Sequence, residues 1–293
     1  MGRQIYAAIA DGILEGGVYA LMAVGLTLIF GVLDIINIAQ GILVVTGAYL
    51  SYVLSVHLHI DLFLGLLVTV PAMFILGLGI YWAFIRPLRG RERTSMSLLA
   101  CYAVAIIIEG VLYWIFGANE ETLHASYITN SFRVFGFYLS DIYVYGFILA
   151  VALVIGLYLL LYRTRFGRSV RATMQDQTAA RLIGIQVNKV AGLTFAIGVA
   201  VTAAGGMMFG ATSGGFTPNS GYDLISRLLA IIILGGLGSI GGALVASVFM
   251  ITLESVVDIW QPEWAIVVFY AALVIVLLIR PTGFFGRKAV RAQ

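Results

Sequence analysis

The sequence predicts an all-α, polytopic integral membrane protein with about eight or nine transmembrane or partly re-entrant helices. Three observations predict it. The 293 residues are 61% hydrophobic and only 11% charged, against roughly 25% charged in soluble domains. Apolar runs of about 20 residues, each long enough to cross a ~30 Å hydrocarbon core, recur from end to end. No stretch between them is long and polar enough for a soluble domain, and lipid forbids unpaired backbone, so the runs are read as helices. Glycine is abundant at 34 residues, which suits close helix packing and broken helices.

The spans are placed near 11–32, 38–56, 62–84, 95–117, 141–162, 190–210, 228–240, 241–259 and 264–280. The first run continues into further spans and is read as mature protein, with Arg3 its sole early positive charge. The span 190–210 is rich in small residues; Gly198, Thr202, Gly205 and Gly206 are expected to let another helix come close. The segment 228–240 is too short for a full crossing at 1.5 Å per residue. The cluster GGLGSIGG, with Gly235, Gly236, Gly238, Gly241 and Gly242, separates it from 241–259 and is expected to break the helix inside the protein. Each glycine there would cost roughly 1 kcal/mol against alanine in a regular helix.

Charge sets the orientation. Arg86, Arg89, Arg91 and Arg93 lie in one loop, Arg163, Arg165, Arg168, Arg171, Arg181 and Lys189 in the next, and Arg280, Arg287, Lys288 and Arg291 at the end. These regions are assigned to the cytosol, together with the C-terminus. Ala118–Asp141 carries one arginine and three acids and is assigned to the outer face. The N-terminus lies outside if nine segments cross.

The connection Leu161–Val190 is unusual for a protein that only spans. Val170, Met174, Ala179, Leu182 and Ile183 recur at roughly helical spacing, opposite a wet face of Arg171, Gln175, Asp176 and Arg181, and Gly184 ends the pattern. Such a helix can anchor at headgroups, or dock on a soluble protein and act as a lever on the spans it joins.

Chemistry is otherwise sparse. Cys101 is the single cysteine and is read as a small helix residue. His57 and His59 flank a short loop. No G-x-x-x-x-G-K-[ST] pattern occurs, so the chain holds no ATP by that device. No catalytic residues, metal site, cofactor or nucleic-acid partner is expected. Within the spans, Asn37 and Gln40 follow the first helix, and they either line a solute route or satisfy backbone at a helix break. Glu109 and Glu254 lie at membrane depth, where a carboxylate costs several kcal/mol unless paired or wetted. Each is either a functional group or an interspan hydrogen bond. A hydrogen bond, not a proton-transfer role, is expected for Glu254. The turn-rich Ala211–Asp223 is read as an outer loop, and Asp223 and Arg227 either steer a partner or pair with each other.

Four separated stretches carry a family resemblance over nearly the whole chain: GGVYALMAVGLTLIFGVLDIINIAQG at Gly16–Gly41, RTRFGRSVRATMQDQTAARLIGI at Arg163–Ile185, LGGLGSIGGALVAS at Leu234–Ser247 and RPTGFFG at Arg280–Gly286. In this order they resemble the smaller permease type of the ATP-binding-cassette importers for branched-chain amino acids. The resemblance implies a single permease domain, 1–293, with a cytosolic coupling segment at 163–189, in a bacterial cytoplasmic membrane. It implies two ATPase subunits, a second permease (a related larger chain or a copy of this one) and a soluble solute-binding protein as partners, with lipid as solvent. Thr178, Ala179, Ala180 and Gly184 fall on the superfamily's acid-Ala-Ala-xxx-Gly docking loop, although Thr178 replaces the usual glutamate and Asp176 lies nearby. Arg171 and Arg181 are candidates for ion pairs with the ATPase. Where the family usually shows phenylalanine, histidine and glutamate, this chain has Ile38, Gln40 and Ile42. Hydrophobic or branched-chain amino acids are the implied cargo, with urea, amides or small carboxylates as the alternative. An ion-coupled secondary carrier is the rival class.

Overall fold

A computed structural model describes residues 2–88, 93–123, 125, 128, 131–134 and 137–286. Arg89, Arg91, Arg287, Lys288 and Arg291 of the basic clusters lie outside the described residues. The helices are α1 (Gly2–Leu33), α2 (Gln40–Leu58), α3 (Leu62–Ile80), α4 (Arg93–Phe116), α5 (Asp141–Arg163), α6 (Arg165–Gln175), α7 (Gln177–Leu182), α8 (Val187–Thr212), α9 (Ser220–Gly235), α10 (Ile240–Asp258) and α11 (Pro262–Ile279). A π-helical turn, Tyr81–Ile85, continues α3. In the predicted outer loop, β1 (Ser131–Val134) and β2 (Phe137–Ser140) form a short antiparallel hairpin.

Eight helices among the described residues are long and apolar enough to span: α1, α2, α3 with its π-turn, α4, α5, α8, α10 and α11. The expected segment 228–240 starts earlier than the sequence suggested, at Ser220, and ends at Gly235. Its 16 residues rise about 24 Å, short of a ~30 Å core. The chain turns at Gly236–Ser239, and α9 and α10 form an antiparallel hairpin in which Gly235 lies on Gly242.

At the centre are α1 and α8. The spanning part of α1 is 89% buried and that of α8 83%, against 11% for α11, so α11 leaves most of its surface outside the bundle and α1 almost none. Lipid tails are as apolar as leucine, so burial of greasy surface does not hold α1 in place; close van der Waals contact does. Small residues supply it. A Cβ on Gly12 would sit 2.6 Å from Thr252 Cα of α10, one on Gly16 2.6 Å from Val248 Cα, and one on Gly25 2.5 Å from the Gly198 carbonyl of α8. Gly205 receives Met22 of α1, while Gly206 lies against Val44 and Ala48 of α2. The expected close approach along 190–210 is present, and it serves two neighbours from two faces.

The contacts also fix the ends. Gln177 Nε2 donates to the Val32 carbonyl at 3.0 Å, Tyr81 lies on Gly192, and Gly31 approaches Gly238. One end of the bundle therefore gathers Arg86, the basic segment 163–189 and the start of the C-terminal tail. The N-terminus of α1 lies at the other end. There the Glu121 and Phe216 backbones exchange hydrogen bonds of 3.0 and 2.9 Å, tying together the two loops assigned to the outer face.

Gly25→Val should lower stability by about 1–3 kcal/mol through overpacking. Gly110→Ala, at a position where a Cβ meets nothing within 4 Å, should leave it unchanged or slightly raised. Thermal melting of the two purified variants in detergent checks the contrast.

Candidate functional site

The basic segment is built by capping. After α5 ends at Arg163, the Thr164 hydroxyl accepts from Gly167 N–H at 3.0 Å and opens α6. Val170 is fully buried and Thr173 nearly so, and the Met174 methyl reaches Gly31 of α1. At Asp176 the helix stops. Its carboxylate accepts from Thr178 N–H at 2.7 Å and Ala179 N–H at 3.1 Å and starts α7, the N-cap role aspartate fills well. The expected single helix is two, because Asp176 offers the backbone a better partner as a cap than inside a turn. At the far end, Gly184 N–H bonds Arg181 O and Ile185 N–H bonds Ala180 O, both at 3.0 Å. Gly184 has φ +86 with open space around its Cα, so glycine is needed there for conformation, as in a Schellman cap.

Two sequence expectations change. Ala179, Leu182 and Ile183 do not belong to the buried face; all three are exposed, Leu182 and Ile183 at 85% and 74%, because the break at Asp176 redirects the helix. Arg171 does not face outward. Its guanidinium donates to the Leu161 carbonyl and lies 4.7 Å over the Tyr162 ring, capping α5. Thr178, Ala179 and Arg181 are exposed and Ala180 is buried. The α6–α7 arm is thus bonded to the ends of α5 and α1 and presents an exposed tip with two aliphatic side chains.

Between α1 and α2 the chain is non-helical, beginning at Asp34, which has φ 55. Asn37 and Gln40 are fully buried. Asn37 Nδ2 donates to Gln40 Oε1 at 3.0 Å, Gln40 Nε2 to the Thr202 hydroxyl, and that hydroxyl to Gly198 O at 2.9 Å. This chain of bonds ties the break to α8. The second break is covered from outside α9 and α10. Phe284 and Phe285 N–H donate to the Leu234 and Gly235 carbonyls at 2.7 and 3.1 Å, so the tail RPTGFFG satisfies the last carbonyls of α9. Gly236 and Gly238 take positive φ, +96 and +81. Gly241 and Gly242 lie in the first turn of α10, Gly242 against Gly235 and Gly241 in open space.

The acids at depth have partners. Tyr222 O–H donates to Glu109 Oε2 at 2.6 Å, joining α4 to α9. Arg227 pairs with Glu254 at 2.8 Å, joining α9 to α10, and not with Asp223 as the sequence allowed. Around that pair lies a cavity of about 420 Å³ between α1, α8, α9 and α10, lined by Glu15, Tyr19, Asp223, Arg227, Glu254 and Asp258 among others. No group of three or more His, Cys, Asp or Glu among the described residues could hold a metal.

A family model described as the branched-chain amino acid transport system / permease component matches residues 8–277. The chain belongs to this family. It is 28% identical to the high-affinity branched-chain amino acid transport system permease protein BraD of Pseudomonas aeruginosa, over 96% of each chain. The permease is also 28% identical to LivH of Escherichia coli K12, of the same description, over 96% of this chain and 95% of the relative. A probable branched-chain amino acid transport permease LivH from Methanocaldococcus jannaschii is 30% identical, over 94% and 92%. No solved structure matches the chain.

Sequence reasoning found Glu254 in this permease but passed over Glu15, which faces the same cavity. The available signal was the same for both: a carboxylate inside an apolar run. Glu254→Gln should assemble and keep most uptake, because its amide oxygen still accepts from Arg227. Glu254→Leu should lose about 1–3 kcal/mol by stranding the guanidinium, and Arg227→Leu/Glu254→Leu should recover part of that loss. Melting temperature and uptake at matched membrane abundance measure each. At the second break, Gly242→Leu should abolish uptake and Gly241→Leu should be tolerated, read in the same assay.

Proposed function

We propose that the chain is the transmembrane permease subunit of an ATP-driven, binding-protein-dependent importer for branched-chain or other hydrophobic amino acids. It forms one permease domain, with 163–189 as its coupling segment. Two ATPase subunits dock on the basic face, a second permease completes the pore, and a soluble binding protein delivers solute to the opposite face. The charge of the basic loops supports a cytosolic docking face and a cytosolic C-terminus, by the positive-inside rule.

The observation that carries this reading is the exposed α7 tip on an arm tied into the bundle. Leu182 and Ile183 project from it beside exposed Arg181, and nothing among the described residues covers them. Two aliphatic side chains held on a capped turn suit burial in a partner's groove. Ion pairs at Arg181 would add only about 0–1 kcal/mol each. Force on the tip reaches α5 through Arg171 and Thr164, and α1 through Gln177 and Met174. One push thus moves the central helix. The relatives' described role in branched-chain amino acid transport supports the cargo.

Leu182→Ser/Ile183→Ser should weaken co-purification of the ATPase about tenfold or more, the cost of exposing two aliphatic anchors. Gly184→Val should uncouple ATP hydrolysis from uptake, since a β-branched residue resists φ +86. Unchanged ATPase recruitment and unchanged uptake in both variants would overturn the docking assignment.

A further inference from the structure

Tyr222, Asp223 and Ser226 are exposed and Arg227 is half-buried; they form one stripe of α9, whose other faces are apolar. A polar stripe on a helix inside a membrane bundle does not face hydrocarbon; it lines water or another polar surface. The cavity beside it has volume for a small solute, within the ~300–1,000 Å³ usual for such sites.

The chemistry of its walls is specific. Arg227 supplies a guanidinium, held by Glu254 at 2.8 Å. Glu15, Asp223 and Asp258 line the same space without an ion-pair partner among the described residues. Phe209, Leu224 and Ile251 are the large apolar residues of the lining. One cation, free carboxylates and an aliphatic surface match the three parts of a single molecule.

We propose that this cavity binds an aliphatic α-amino acid as its zwitterion. Arg227 takes the carboxylate in place of Glu254, Glu15 takes the ammonium, and the side chain lies on Phe209, Leu224 and Ile251. Glu254 is the positioning residue that holds Arg227 ready. Glu15 lies 18 residues from Leu33, about 27 Å along α1 from the basic end, and Glu254 lies four residues from the end of α10. The site is therefore near the mouth to which a binding protein delivers. The excess of acids repels small carboxylates, and urea or a neutral amide lacks both charges, so the cavity selects among the solutes this architecture could carry. The proposal rests on the permease reading.

The test uses the complete importer in proteoliposomes, with Cys101→Ala and Ser255→Cys in the permease. Ser255 lines the cavity, and its modification by a small maleimide reports occupancy. L-leucine should slow labelling, and isocaproate and isopentylamine, each with one charge only, should not. Glu15→Gln and Arg227→Gln should each raise the half-protecting leucine concentration about tenfold or more, through loss of one charge-assisted hydrogen bond. Equal protection by the one-charge analogues overturns the proposal, and that comparison requires no variant at Glu15 or Arg227. Unchanged protection in both variants overturns it as well. So does absence of leucine protection in a complex that still takes up leucine with ATP, which leaves the permease reading standing. Absence of ATP-driven leucine uptake in the wild-type complex is the distinct failure that removes the permease reading and this proposal with it.

Discussion

Every backbone polar group inside a bilayer must find a partner within the protein, and the rest of this structure follows from that requirement. Regular helices meet it by themselves. Helix ends and breaks do not, so each interruption here is closed by groups from elsewhere. At the break before α2, the Val32 carbonyl accepts from Gln177 of α7, and an Asn37–Gln40–Thr202 chain of side chains ties the break to α8. The last carbonyls of α9 are closed by backbone N–H groups of the C-terminal tail. Both breaks lie against α1 or α8, the two most buried spans.

That arrangement makes the central helix the common element of the two functional ends. At one end α1 is bonded to the α6–α7 arm through Val32 and Gly31. Toward the other it carries Glu15 and Tyr19 into the cavity at Arg227. Between them its small residues press on α8 and α10, with no soft layer to absorb displacement. Packed interiors of this kind shift between discrete arrangements and do not deform continuously. On the proposed reading, a change at the basic end is carried by this helix to the site where solute would sit.

Two of the carboxylates at depth follow the same logic. A carboxylate in a span is costly alone, and Glu109 and Glu254 have donors on α9, Tyr222 and Arg227. The short helix α9 thus places its polar stripe against two neighbours while its other faces stay in the core. Because α9 is too short to be an independent span, its position depends on these bonds, on the glycine hairpin to α10 and on the tail that covers its end.

Composition and periodicity determined the class of protein, the helical spans and the charge asymmetry of the bundle, because hydrophobic length and loop charge are local properties of the chain. Glycine spacing likewise marked where helices meet and where one breaks. Local pattern misled at Leu182 and Ile183, since helical spacing cannot show that Asp176 caps a second helix and turns those side chains outward. It left the role of Gln40 open and gave Glu254 no named partner, because Thr202 and Arg227 are distant in sequence and meet only when α2 packs on α8 and α9 folds back on α10. Glu15 acquired its meaning the same way: the residue was visible, but the cavity it faces is formed by four helices and exists only in the tertiary structure.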